Sequence, residues 1–314
     1  MDRIPLHWGA MLDLNALSLQ DLFVHLIRDG SLERLLRAAR EEDLAGLGDV
    51  TTASMIGMER PAEGELAARE EGVIAGLAVI PPLLRSFDVT LTFEPTARDG
   101  EPCPAGQALG RLAGSLAEML LIERTLLNIL GRLSGIASLT RRYVEAVGPS
   151  KAAICETRKT TPGLRGLEKY AVRCGGGTLH RLGLWDAALY KDNHLAHVPP
   201  DELAASLEEA IRAARTAGEL RFVEIEVDTL QQLGRVLTIE RGLVDIVLLD
   251  NMSPEDLRQA VALRDAQAPE MLLEASGGVT LETVAGIAST GVDRISVGAL
   301  THSAASLDIG LDVR

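Results

Sequence analysis

Two neighbouring stretches decide the fold: F-V-E-I-E-V-D-T-L-Q-Q-L-G-R-V-L, Phe222 to Leu237, and V-D-I-V-L-L-D-N, Val244 to Asn251. Phe222–Val227 and Val244–Leu249 are short apolar runs of strand length, and Leu230–Leu237 between them has helical spacing. A strand, a helix and a second strand at such short spacing imply parallel strands joined by a crossover helix. The rhythm extends outward in both directions. Apolar runs at Ala152–Cys155, Ala187–Tyr190, Met271–Ala275 and Arg294–Val297 alternate with helical stretches at Pro200–Thr216, Pro254–Arg264 and Leu281–Ser289. Polar residues collect just after the runs, which is where an α/β barrel carries its active site.

Upstream the texture differs. Leu17–Leu44 reads as helical with a cap at Ser31, and Gly64–Val79, Val89–Phe93 and Gln107–Leu112 read as strands bounded by Gly and Pro. Two helical runs follow, Leu116–Leu130 and Ile136–Val147. The expected organisation is therefore a helical segment plus α+β domain over residues 1–133 and a barrel-like domain over 134–314.

The chain has 314 residues, 46% of them apolar, enough for one large domain or two ordinary ones. A formal charge of −14 argues against a general nucleic-acid or membrane-surface binder. The longest apolar run, Val73 to Leu84, is too short to span a bilayer and is interrupted by Pro81-Pro82. The N-terminus MDRIPLHWGA lacks the basic start and apolar core of a secretory signal. Cys103, Cys155 and Cys174 are widely spaced, which favours buried thiols in a reducing cytoplasm over disulfides or zinc.

Within this acidic chain, Arg158 to Lys191 is basic: Arg158, Lys159, Arg165, Lys169, Arg173, Arg181 and Lys191 are opposed only by Glu168 and Asp186. A lone Arg-Lys pair is more often a solvated turn, but a basic segment in an acidic protein builds a field that gathers anions. E-T-R-K-T-T-P-G-L-R (156–165) puts Arg158, a planar fork for carboxylate, beside Lys159, a point charge for phosphate. G-G-G-T-L-H-R (175–181) sets His180 and Arg181 after glycines that leave backbone amides open; a flexible helix cap is the competing explanation. Y-K-D-N-H (190–194) adds Lys191 after another strand. Lys169 and Arg173 lie at i, i+4 and read as surface charges.

V-E-I-E-V places Glu224 and Glu226 on the inward face of its strand, which is costly unless they meet cations. Asp250 ends the next strand, so Glu226 and Asp250 could hold Mg²⁺, or simply pair with Arg or Lys. S-G-G (276–278) and S-V-G-A-L (296–300) are small-residue loops after late strands, suited to phosphate.

In order and context these motifs resemble the quinolinate phosphoribosyltransferase family, or nicotinate-nucleotide pyrophosphorylases (carboxylating). The resemblance runs from Gly48-Asp49-Val50-Thr51-Thr52 to the end of the chain. It is carried by ERTLLNILGRLSGIA (123–137), ETRKTTPGLRGLEKYAVRCGGG (156–177), HR (180–181), KDNH (191–194), LLDNM (248–252), EASGG (274–278) and GVDRISVGALTHS (291–303). It implies an α/β-sandwich N-terminal domain, an incomplete TIM-like α/β barrel, a C-terminal tail returning to the first domain, and a homodimer with shared active sites. It also implies that Arg124 reaches across the dimer interface while Arg158, His180, Arg181 and Lys191 hold a pyridine dicarboxylate. Lys159 would meet phosphate groups; Glu226 and Asp250 would serve the Mg²⁺–ribose region; Ser276, Gly277, Gly278 and Gly298 would hold the ribose phosphate. The implied reaction joins quinolinate to phosphoribosyl pyrophosphate with loss of pyrophosphate and CO₂, giving nicotinate mononucleotide for NAD biosynthesis. Lys159, Glu226 and Asp250 would be its catalytic residues.

The sequence departs from the family at Leu179, where Asn or another polar residue is common, and in the long segment Met1 to Arg40. Competing readings are the paralogous group associated with molybdenum transport, a Schiff-base aldolase using Lys191, and a non-enzymatic anion-binding module.

Overall fold

A computed structural model describes residues 12–56 and 60–314. The chain divides into two compact units. One, the sandwich unit, comprises Ser18–Glu145, Lys159–Thr178 and Gly298–Arg314; the other, the barrel unit, comprises the described residues 12–17 with Ala146–Arg158 and Leu179–Val297.

The sandwich unit opens with two helices, Leu19–Ile27 and Ser31–Leu44. Ser18 caps the first, its hydroxyl accepting the Asp21 N–H. The expected cap at Ser31 is corrected: Ser31 is the first helical residue, and Gly30 at φ 74 makes the turn without a side-chain bond. Strands follow: β1 (Pro61–Ala68), β2 (Gly72–Val73), β3 (Thr92–Pro95), β4 (Pro102–Cys103) and β5 (Ala108–Ser115). The strand expected to run through Val79 stops at Val73. A helix forms at Ile80–Phe87 instead, with the prolines in its first turn. There a missing N–H costs nothing, because first-turn amides have no intrahelical acceptor.

The two helical runs expected at 116–130 and 136–147 are one 31-residue helix, Leu116–Ala146. Gly131 and Gly135 suggest a break, yet they are where this helix lets the C-terminal segment come close. A Cβ at Gly131 would stand 2.9 Å from the Leu307 carbonyl, and one at Gly135 would run into that of Ala305. Packing overrides the low helical propensity of glycine.

In the barrel unit, β6 (Ala153–Cys155), β7 (Ala188–Tyr190), β8 (Val223–Val227), β9 (Ile246–Asp250), β10 (Leu272–Ser276) and β11 (Arg294–Ser296) form one six-stranded sheet in the order β6-β11-β10-β9-β8-β7. Every recorded pairing is parallel. Consecutive strands neighbour one another all the way round except at β6 and β7, between which no ladder forms among the described residues. This is the incomplete barrel. Crossover helices Leu203–Ala217, Leu230–Val236, Pro254–Gln267 and Val284–Ala288 lie between the strands. Thr229 and Gln232 close a capping box on the second, and the Ser253 hydroxyl caps the third.

After the barrel strands the chain returns to the sandwich unit. Its last strand, β12 (Ile309–Val313), pairs antiparallel with β1, and the sheet runs β12-β1-β5-β3. Among the described residues no helix is long and apolar enough to cross a membrane.

Candidate active site

Parallel register carries the C-terminal ends of the barrel strands to one edge. Glu226 pairs with Leu248 and Val227 with Leu249; Asp250 pairs with Ser276. Arg158 follows β6 by three residues and Lys191 follows β7 directly. This edge therefore gathers Arg158, Lys191, Glu226, Asp250 and the Ser276–Gly278 loop. Burial and the charge of Asp250 push the Glu226 carboxyl up, while Lys191 pulls it down. The net rise comes from burial first and from the charge of Asp250 second. Asp250 accepts the Asn251 side-chain N–H at 2.7 Å, and Asn251 sits at φ 53. Gly277 lies at φ +96, where an added Cβ would strike Asn251 Oδ1, so this loop requires glycine on both counts.

A deeper layer lies beneath the rim. On β8, Glu224 is two residues from Glu226 and faces the same way, but it is fully buried. His180 Nε2 lies 3.0 Å from Glu224 Oε2 and 3.3 Å from Glu274 Oε1. Arg294 Nε donates to Glu274 Oε2 at 2.6 Å, joining adjacent positions of β11 and β10. The main chain of His180 is held as well, its N–H donating to buried Glu156 at 2.8 Å. Burial pushes the Glu274 carboxyl up, yet His180 and Arg294 hold it well below the usual carboxylate range. Burial and the charge of Glu274 push Glu224 up.

For His180, burial favours the neutral ring, but the charges of Glu274 and Glu224 outweigh it and raise the pKa to about 9. At neutral pH this preference for an imidazolium amounts to about 3 kcal/mol. Against it stands the Arg181 main-chain N–H, which donates to His180 Nδ1 at 2.7 Å. An imidazolium would set a second N–H against that one, leaving both without acceptors at about 1–3 kcal/mol each. The Nδ1 contact and the two carboxylates therefore pull the ring's proton balance in opposite directions by similar amounts. Arg181 is itself buried and engaged.

Other expected site residues belong to the sandwich unit. Gly298 lies against Lys159, since a Cβ there would stand 3.0 Å from Lys159 Cδ. The Thr301 hydroxyl donates to the Lys159 carbonyl at 2.8 Å. Glu168, fully buried, accepts the Thr161 N–H and hydroxyl at 3.0 and 2.9 Å and pairs with Arg132 at 2.7 Å, bracing the turn after Lys159. The Arg124 side chain is 69% exposed, on the long helix.

Two expectations about the basic segment are corrected. Lys169 is fully buried rather than a surface charge, and Arg173 donates to the Gly177 carbonyl at 2.8 Å. The helix Arg165–Cys174 is packed against Leu19–Ile27, with Phe23 on Tyr170 at a ring separation of 5.2 Å, and is not a solvated face. Leu179 is buried, and its N–H donates to Asn15 Oδ1 at 2.7 Å, so part of the long N-terminal segment serves the strand-end loop next to His180. The rest of that segment, residues 1–11, lies outside the described residues. Glu156, Glu274 and Arg294 were not singled out from sequence as site residues. The quoted motifs contain all three, but nothing in linear order joins Glu274 to Arg294.

Family models describe both parts of the chain: the N-terminal domain of quinolinate phosphoribosyl transferase matches residues 49–134 and its C-terminal domain residues 136–312. The nicotinate-nucleotide pyrophosphorylase [carboxylating] of Mycobacterium leprae is 44% identical over 287 residues, covering 91% of this chain and 98% of that one. The probable nicotinate-nucleotide pyrophosphorylase [carboxylating] of Bacillus subtilis is 40% identical, covering 90% and 93%. The solved nicotinate-nucleotide pyrophosphorylase of Francisella tularensis superposes with a TM-score of 0.81 at 32% identity, covering 97% of this chain and all of that one. The chain belongs to the quinolinate phosphoribosyltransferase family.

Proposed function

We propose that the protein transfers the phosphoribosyl group of phosphoribosyl pyrophosphate to quinolinate, releasing pyrophosphate and CO₂ and forming nicotinate mononucleotide. The observation that carries the reading is the barrel rim, where basic Arg158 and Lys191 stand at the same strand edge as acidic Glu226 and Asp250. Cations for a dicarboxylate beside carboxylates for a developing positive ribose are what this reaction needs. The relatives' names favour this reaction over the transport-associated alternative.

Arg158, Arg181 and Lys191 grip the substrate carboxylates and offset repulsion between two anionic substrates. The pyridine nitrogen then bonds to the anomeric carbon as the bond to pyrophosphate breaks. Glu226 and Asp250 stabilise the positive charge that develops on the ribose. In the barrel unit the Ser276–Gly278 loop receives the ribose phosphate; in the sandwich unit Lys159, with Gly298 against it, receives the departing pyrophosphate. In the alkylated ring the bond to the adjacent carboxylate breaks. Its electron pair passes to the ring carbon, which the pyridinium nitrogen stabilises until that carbon takes a proton.

The rim also fits Mg²⁺: Glu226 and Asp250 are oxygen donors, and burial with the charge of Asp250 raises the Glu226 carboxyl, which a cation beside it would offset. When bound there, the ion would offset charge on the pyrophosphate. Cytoplasmic placement and a homodimer complete the proposal, the exposed Arg124 being the residue given to the partner. The test is turnover by purified protein with Mg²⁺, phosphoribosyl pyrophosphate and either quinolinate or nicotinate. CO₂ and pyrophosphate released in equal amounts from quinolinate alone is the expected result; neither product would defeat the reading.

A further inference from the structure

Within the sandwich unit, the turn that carries Lys159 is held at two points. On one side the Thr301 hydroxyl donates to the Lys159 carbonyl at 2.8 Å. On the other, Glu168 accepts the Thr161 N–H at 3.0 Å and the Thr161 hydroxyl at 2.9 Å. Thr301 and Glu168 are fully buried, although Lys159 and Thr161 are exposed. Gly298 packs on the lysine stem, since a Cβ there would stand 3.0 Å from Lys159 Cδ.

One side chain joins the two holders. Arg132, on the long helix, donates from Nη2 and Nε to Glu168 Oε1 at 2.7 and 3.2 Å. Its Nη2 also donates to the Thr301 carbonyl, and its Nη1 to the Ala304 carbonyl at 3.0 Å. A planar guanidinium presents its donors in fixed directions, so it can tie a carboxylate to two carbonyls. An arginine kept only to neutralise buried Glu168 would not need those carbonyls. The path from Arg132 to Lys159 runs through one of them.

We infer that Arg132 is a positioning residue: by tying Glu168 to the Thr301–Ala304 segment it fixes the main chain on both sides of Lys159, and so presets where the Lys159 ammonium meets pyrophosphate. The inference rests on the reading of Lys159 as the pyrophosphate ligand. Arg132 acts only through Thr301 and Glu168 and touches no substrate. A lysine side chain has much rotamer freedom to lose on binding, and a fixed base leaves less to be lost. The effect should be confined to the pyrophosphate side of the reaction, because Arg158, Arg181 and Lys191 belong to the barrel unit.

The test is a double-mutant cycle in the full-length protein. It is read as the Kd of inorganic pyrophosphate with Mg²⁺, by titration calorimetry, and as the KM of each substrate. Arg132→Lys keeps a cation beside Glu168, and Thr301→Val removes the hydroxyl while keeping the shape. Each should weaken pyrophosphate and raise the phosphoribosyl pyrophosphate KM about 10- to 100-fold, the scale of an ångström-level misplacement. The quinolinate KM should not change. Thr301→Ser, which keeps the hydroxyl, should recover most of the loss. In a Lys159→Ala background neither substitution should add more than about twofold. An effect that persists in full without Lys159, or equal rises in both KM values, overturns the inference. If Lys159→Ala weakens pyrophosphate while Arg132→Lys and Thr301→Val do not, the anchor fails and the ligand reading survives. If Lys159→Ala leaves pyrophosphate binding unchanged, the ligand reading fails and the anchor's purpose with it. Thermal melts run alongside; where Arg132→Lys does not stay folded, Thr301→Val against Thr301→Ser carries the cycle.

Discussion

Glu224 and Glu226 are the same residue on the same face of one strand, yet they do different work. Glu224 is fully buried against His180, whereas Glu226 is part-exposed at the rim with Asp250 and Lys191 acting on it. One layer down, Glu274 is paired with Arg294 and Glu224 faces His180 with Glu274 beside it; at the rim, Glu226 stands with Asp250 and only Lys191 acts against their charge. Fixed partners favour stability and unresolved repulsion favours a ligand, so depth along one strand separates scaffold from chemistry.

The largest effect should come from the deep layer. Glu274→Ala leaves Arg294 buried without its carboxylate, which should cost about 3–5 kcal/mol of stability. Chemical denaturation at pH 7 measures it, and a loss within 1 kcal/mol, roughly the worth of an exposed pair, would erase the distinction between layers.

At the rim the loss should appear in rate. Glu226→Gln should lower kcat about 10²- to 10³-fold, the scale for removing one preorganised electrostatic group. Its stability should move the other way. The folded Glu226 pKa is raised, so the carboxylate begins to cost stability as pH climbs past the ordinary value near 4.5. Without Mg²⁺, Glu226→Gln should therefore melt higher than the wild type at pH 7 and together with it at pH 4. Glu274 is depressed, so its contribution is present above the ordinary carboxylate pKa and fades as pH falls. Thermal melts at both pH values settle it; equal signs for Glu226→Gln and Glu274→Gln at pH 7 would contradict the two-layer account.

A smaller loss is expected at the loop between these layers and solvent. Gly277→Ala forces an L side chain to φ +96 and into Asn251, a strain of about 1–3 kcal/mol. Gly278→Ala, at φ +58 with open space around the site, should cost less. Calorimetry of the two variants ranks them, and a reversed order would show that backbone conformation rather than the Asn251 contact sets the requirement.

These contrasts explain how much was legible beforehand. The strand–helix alternation and the acids and bases at strand ends are local in sequence, so the barrel and most of its rim could be read directly. V-E-I-E-V even placed both glutamates inward. Which of them meets His180 depends on β10 and β11, and Glu274 and Arg294 are 20 residues apart in sequence but adjacent in register. Lys169 is buried and its neighbour Tyr170 packs on Phe23 of the first helix, tertiary features that periodicity does not report. Likewise Gly131 and Gly135 read as a break because their reason lies far along the chain, at Ala305 and Leu307.

The finest version of the comparison is made by Asp293 alone. Its two oxygens each meet a cation at 2.7 Å: Arg264, whose side chain is 3% exposed, and Lys151, 57% exposed. Distance is equal, so only burial distinguishes the pairs. Arg264 also donates to the Met271 carbonyl at 2.6 Å, and Asp293 accepts the Leu273 N–H at 2.9 Å, so the buried side is a closed network. Burial raises the Asp293 carboxyl, but these bonds and the two cations hold it below its ordinary value. Its stabilisation is thus present above that value and lost as pH falls through the folded pKa. Lys151→Ala should cost about 0–1 kcal/mol at pH 7, shrinking further in high salt. Arg264→Ala should cost several times more, because it leaves buried acceptors unpaired. Denaturation of both variants at two salt concentrations measures the ratio; if Lys151→Ala equals or exceeds Arg264→Ala, burial is not what divides structural charge from surface charge in this barrel.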